Sequence, residues 1–146
     1  MTPRPPELAA SPRRTLRAFI EAVLPPTPVP SEGLVDALIG EVELSMSYLP
    51  SYTRLPLRLG FFALEHASLC MGPRARRFYK LSGDDRARYL ERWASSPLSL
   101  QRNFFKALKA FTVIAYYERP EIMAHLDYDP QSYVDELKVR NGNRSA

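Results

Sequence analysis

The chain has 146 residues, 45% apolar and 25% charged, a balance that suits one domain with a packed core and excludes a wholly disordered segment. Its 20 basic and 16 acidic residues are interleaved, so the formal charge of +4 marks no polyanion-binding tract, and nucleic acid is not an expected partner. A single cysteine, Cys70, excludes an intramolecular disulfide or a multi-cysteine metal cluster, and no apolar run nears the ~20 residues that span a bilayer.

Residues 1–10, with Pro3, Pro5 and Pro6, are expected to be a disordered N-terminal arm. Ser11 and Pro12 supply a cap and a first helical position, after which Leu16, Phe19, Ile20, Val23 and Leu24 recur at helical spacing as far as Pro25. Pro25, Pro26, Pro28 and Pro30 then allow only a polyproline-like connector. Ser31 is expected to cap a second helix with Val35, Ile39, Val42, Met46 and Leu49 as its stripe, Leu34 and Leu38 flanking it, and Asp36, Glu41 and Glu43 outside. Pro50 and Pro56 bracket a turn before a third helix at about 57–71, which carries Leu59, Phe62, Ala63, His66, Leu69 and Cys70 and stops at Gly72 and Pro73. Ser82, with Asp85 three residues on, opens a fourth helix through Ala94 whose inward residues are Tyr89, Leu90 and Trp93.

The longest apolar pattern comes next. Leu100, Phe104, Phe105, Leu108, Phe111, Thr112, Ala115 and Tyr116 recur at threes and fours, and Val113 and Ile114 widen the stripe. Ser96 and Pro97 mark its start and Pro120 its end, which predicts a central rod near residues 97–118, enclosed on most of its circumference. A short helix at 120–125, a last turn around 133–137 and a flexible tail at 138–146 complete the chain. With no period-two alternation, the fold class is all-α: a single-domain bundle of about five to six helices over residues 11–137.

Catalytic chemistry is hard to place. His66 and Cys70 share a helix face at ligand spacing, but two groups do not make a metal site, and they read as a core histidine and a core thiol. His125, Asp127 and Asp129 alternate along one segment and read as capping and turn residues. The cluster of Arg74, Arg76, Arg77 and Lys80, joined by Arg86, Arg88 and Arg92, is interspersed with Asp84, Asp85 and Glu91, which favours ion pairs within the chain or an acidic protein partner over phosphates. No glycine-rich phosphate loop is present. What the sequence has in surplus is aromatic surface: Phe104, Phe105, Phe111, Tyr116, Tyr117, Tyr128 and Tyr133 crowd its C-terminal third, more than a small bundle is expected to hide.

The order of motifs carries a resemblance. A first helix ending in V-L-P-P, then F-Y-K-L-S-G-D-D-R-A-R-Y-L-E-R-W, then F-F-K-A-L-K-A-F-T-V-I-A-Y-Y-E-R-P-E-I-M, then Y-D-P, resembles the gluconate 2-dehydrogenase subunit 3 family. It is similar also to the helical region that precedes the flavin domain in long-chain alcohol oxidases of the glucose–methanol–choline (GMC) oxidoreductase superfamily. The likeness spans residues 11–130 and is specific from Phe78 onward; its matching positions are Leu90, Trp93, Phe105, Leu108, Tyr116, Tyr117, Pro120, Tyr128 and Asp129. Asp127 and Pro130 stand where the family often has glycines.

The resemblance implies a non-catalytic small subunit that binds, stabilises or chaperones a large flavoprotein dehydrogenase, with FAD and the reaction on that partner and no cofactor or metal on this chain. Together with the aromatic surplus, it gives an expected partner-binding set of Trp93, Phe104, Phe105, Phe111, Tyr116, Tyr117, Tyr128 and Asp129. Arg13 and Arg14 do not introduce a twin-arginine signal, because Arg17 and Glu21 put charge where an uncharged apolar segment would be needed. The expected location is therefore cytoplasmic, or periplasmic only by export together with a partner. Two other readings stay open: a free-standing helical protein that holds a small apolar ligand beside Phe104, Phe111 and Tyr116, and an enzyme built on His66 or His125.

Overall fold

Each stretch with apolar residues at threes and fours is helical in the structure, a computed structural model that describes residues 8–24, 33–71, 75–126 and 130–142. Among the described residues there are seven α-helices and no strand: α1 (Ala10–Val23), α2 (Leu34–Ser47), α3 (Arg54–Met71), α4 (Gly83–Ala94), α5 (Ser99–Tyr117), α6 (Pro120–His125) and α7 (Pro130–Gly142). Two 3₁₀ turns, Ser51–Thr53 and Phe78–Lys80, lead into α3 and α4. The fold is all-α, as the periodicity requires.

Helix α1 is the hub. Its face of Thr15, Leu16, Ala18, Phe19 and Ile20 is buried, and it packs on α2, α3, α4 and the Phe78–Lys80 turn. Pro12 lies in its first turn, where the lost amide would have been unpaired anyway, and Leu24 ends it in extended geometry, as the residue before a proline must. Ser11 does not cap this helix; its hydroxyl donates to the buried carboxylate of Glu65 on α3. The expected cap of α2, Ser31, lies outside the described residues. Gly33 precedes that helix with φ of 80°, a left-handed geometry open to glycine and strained for other residues.

In α2 the buried face is Leu34, Leu38, Ile39 and Val42, so the two leucines expected at the flank are central, and Val35 and Met46 sit at the edge. Glu43, expected on the outer side, is buried. It is tolerated there because its carboxylate accepts from both the Arg13 guanidinium at 3.2 Å and the Leu8 amide at 3.3 Å. Helix α4 matches its sequence signature: Ser82 accepts from the Asp85 amide, and Tyr89, Leu90 and Trp93 point inward.

Helix α5, the longest, packs on α2 and α4, with smaller contacts to α3 and α6. It is not the enclosed rod that its pattern predicts. Phe104, Leu108, Thr112, Ala115 and Tyr116 are buried, while Leu100, Ile114 and Tyr117 are exposed. Leu100 overruns the neighbours at the start of the helix, and Ile114 and Tyr117 project from the side that faces away from the buried stripe. Its start also falls two residues beyond Pro97, since the Ser96 hydroxyl accepts from the Leu98 amide and the Ser96 carbonyl from Arg102. Helix α7 runs past residue 137 into the expected tail, and every side chain described on it except the half-buried Leu137 is exposed.

The interior is threaded by aromatic rings. Phe78, Tyr89, Trp93, Phe104 and Phe61 form an unbroken series with centroids 5.6, 6.2, 6.0 and 5.4 Å apart, joining the turn before α4 to α5 and α3. Each such pair is worth about 0.5–1.5 kcal/mol beyond its burial. Phe19 and Phe105 make a further edge-on pair at 5.8 Å between α1 and α5.

Candidate docking surface

This ring series decides the fate of most of the expected partner-binding set. Trp93, Phe104 and Tyr116 are 2%, 9% and 5% exposed, so these three pack this chain's own core and do not form a contact surface. Phe105 and Phe111 are half-buried against the same core. Tyr117 is exposed, its ring 5.1 Å from that of Tyr116, and Tyr128 and Asp129 lie outside the described residues, as does the side chain of Tyr133. The rings that looked surplus in the sequence are mostly absorbed because α4 and α5 face each other across Trp93 and Phe104.

The exposed apolar surface is elsewhere. On α3, Leu55, Leu59, Phe62 and Leu69 are exposed, and with His66 they follow intervals of four, three, four and three along one side of the helix. Phe62 is 62% exposed, and the His66 ring stacks on it at 4.2 Å while a ring nitrogen meets the Phe62 carbonyl at 2.9 Å. Tyr48 and Tyr52, each 79% exposed, lie in the segment between α2 and α3. Rings of this kind present ~150–250 Å² each, so Tyr48, Tyr52 and Phe62 alone offer on the order of 400 Å² of apolar surface, and the three leucines add to it.

The opposite side of α3, with Phe61, Leu64, Glu65 and Ser68, is the buried one. Tyr89 donates to the Leu64 carbonyl at 2.9 Å, and the Ser68 hydroxyl donates to the Arg76 carbonyl at 2.7 Å, which fixes the rotation of the helix. Burial pushes the Tyr89 hydroxyl up to about 12. A third side carries Gly60, whose missing Cβ makes room for the Phe104 ring; a methyl there would lie 2.3 Å from it. Helix α3 carries two apolar stripes, one on each side of the line of Arg54, Arg58 and Glu65, so its periodicity cannot say which stripe is covered. The polar neighbours of the buried stripe are what mislead, and the small residues Gly60, Ala63 and Ala67, beside the outward stripe, were the one signal that α5 lies on that flank.

Beside the stripe, a cleft of about 580 Å³ opens between the starts of α1 and α3 and the end of α2. Leu8, Met46, Leu57 and Phe61 make its apolar lining, with Arg54 and Arg58 on the α3 wall. None of Phe104, Phe111 and Tyr116 lines it.

Neither residue expected to form a core pair is in the core: Cys70 is exposed and His66 half-buried on the outward side of α3, because the helix turns its other stripe inward. His125 is exposed at the end of α6. Among the described residues no group of three or more His, Cys, Asp and Glu side chains is arranged to hold a metal ion, and no helix is long and apolar enough to cross a membrane. Arg86 serves the fold. Its guanidinium donates to the carbonyls of Tyr79 and Leu81, reaches Glu21 at 3.4 Å and lies over the Phe78 ring. Arg77 pairs with Glu65 at 3.7 Å, and Arg74 lies outside the described residues.

Among the described residues the fold is an all-α bundle in which α3 turns a stripe of exposed apolar side chains outward. Compared with family models, with curated proteins and with solved structures, the chain matches none of them.

Proposed function

We propose that this chain is a non-catalytic accessory subunit that docks on a large flavin-dependent oxidoreductase of the GMC type and keeps an apolar surface of that enzyme covered. The observation that carries the docking role is the outward stripe of Leu55, Leu59, Phe62 and Leu69 on α3, with Tyr48 and Tyr52 exposed in the segment that leads into that helix. Exposed apolar side chains gathered on one side of a helix cost solubility unless something binds them. The nature of the partner rests on the motif order from Phe78 to Pro130, which resembles small subunits of flavoprotein dehydrogenases. On this reading FAD and the reacting groups belong to the partner, and this chain supplies apolar contact area.

Expression of the tagged chain in the cell that makes it, followed by gentle purification, tests the reading. A flavin-absorbing large subunit recovered in fixed ratio supports it; a chain that emerges without flavoprotein at any salt concentration contradicts it. A second reading, a small apolar ligand held by the chain itself, is favoured by the cleft between Leu8, Met46 and Phe61, whose volume lies in the ~300–1,000 Å³ range of small-molecule sites. An organic molecule that stays with the flavoprotein-free chain through purification and is released for mass spectrometry on denaturation would select that reading instead.

A further inference from the structure

We infer that the outward side of α3 receives an amphipathic α-helix of the partner whose flank carries carboxylates opposite Arg54 and Arg58. The inference rests on the reading of this chain as a docking subunit and specifies what the dock accepts. Intervals of four, three, four and three are the spacing a single straight helix matches with its own apolar side chains, and Leu55 to Leu69 spans about 21 Å at 1.5 Å per residue. An incoming helix of about four turns covers it.

Charge gives the flank its sign. Arg54 and Arg58 are one turn apart on one edge of the stripe, both exposed; the acid that shares their cleft, Glu43, is buried and paired with Arg13. By contrast Arg13, Arg17, Arg77, Arg86 and Arg119 each reach a carboxylate within the bundle. The other edge, Pro56, Gly60, Ala63 and Ala67, is uncharged, so the attraction acts on one side only and sets the register of the incoming helix. A second copy of this chain fits less well. Antiparallel pairing about Phe62 would set Leu55 against Leu69, but it brings Arg54 and Arg58 to the Cys70 end of the other α3, whose one acid, Glu65, is buried and already engaged by Ser11.

The test uses the full chain and two fluorescent peptides of about eighteen residues with identical leucine spacing, one flanked by Glu and one by Lys, read by anisotropy. The Glu peptide is expected to bind at least about tenfold tighter than the Lys peptide. Arg54→Glu with Arg58→Glu should reverse that order, and Phe62→Asp should abolish binding of both, with the helical circular dichroism unchanged because all three residues are exposed. Equal affinity for the two peptides, or an order indifferent to the arginine changes, overturns the inference, as does a dimer of the chain in sedimentation that Phe62→Asp dissociates. A flavoprotein that co-purifies while the peptides bind equally would leave the proposed function standing and sink this inference. Preference for the Glu peptide without any flavoprotein would do the reverse.

Discussion

Gly60 and Tyr89 show how single positions hold α3 in place. At Gly60 the Phe104 ring occupies the space of a side chain, so Gly60→Ala forces ring or helix to move and should cost about 1–3 kcal/mol in urea unfolding. Gly40, also helical but with nothing within 4 Å of its absent Cβ, is the control: Gly40→Ala should stabilise by about 0.5–1 kcal/mol through helix propensity alone. The Tyr89 hydroxyl, lifted by burial to about 12, carries a pH signature. Below its ordinary value near 10 both folded and unfolded chains hold the proton. Between there and about 12 the unfolded chain releases it while the folded one does not, so stability falls as pH rises, by up to about 2–3 kcal/mol. Tyr89→Phe should remove that slope, at the expense of the bond to the Leu64 carbonyl, worth about 1 kcal/mol. Urea midpoints of both proteins across alkaline pH check it.

Between elements, stability depends on a few charged links whose worth follows their burial. Arg13 reaches the buried Glu43 and joins α1 to α2, so Arg13→Ala strands a carboxylate and should cost about 1–3 kcal/mol. Lys138 and Asp135, 4.0 Å apart and both well exposed on α7, form the contrast: Lys138→Ala should shift the unfolding free energy by no more than about 0.5 kcal/mol. Paired thermal melts of the two variants decide whether burial is the governing variable. Helix positions and several ends were legible in the sequence, because Ser82 caps and Pro120 starts a helix by local chemistry that needs no tertiary context. Helix rotation was not. Glu43 looked solvated because nothing local announces Arg13, thirty residues earlier, as its partner. In α3 two apolar stripes compete, and the side with His66 and Cys70, which were expected in the core, faces out together with Leu59, Phe62 and Leu69.

For the whole molecule, the consequence of that rotation is the account of function. An aromatic surplus was visible from composition, and it pointed to partner contact through Trp93, Phe104 and Tyr116. Those rings are instead drawn into the core, two of them in a series from Phe78 to Phe61 that no periodicity argument could join, since its members come from α3, α4, α5 and a turn. The stripe on α3 stays largely uncovered, with Leu55, Leu59 and Phe62 each more than half exposed. Substitutions there should leave stability within about 0.5 kcal/mol of the parent while removing association. The most direct measurement is therefore recovery of flavin-bearing partner by the tagged full chain and by its Leu59→Asp, Phe62→Asp variant, at matched urea midpoints. The account predicts flavoprotein with the parent chain and none with the variant; equal recovery by both, or flavin with neither, would contradict it.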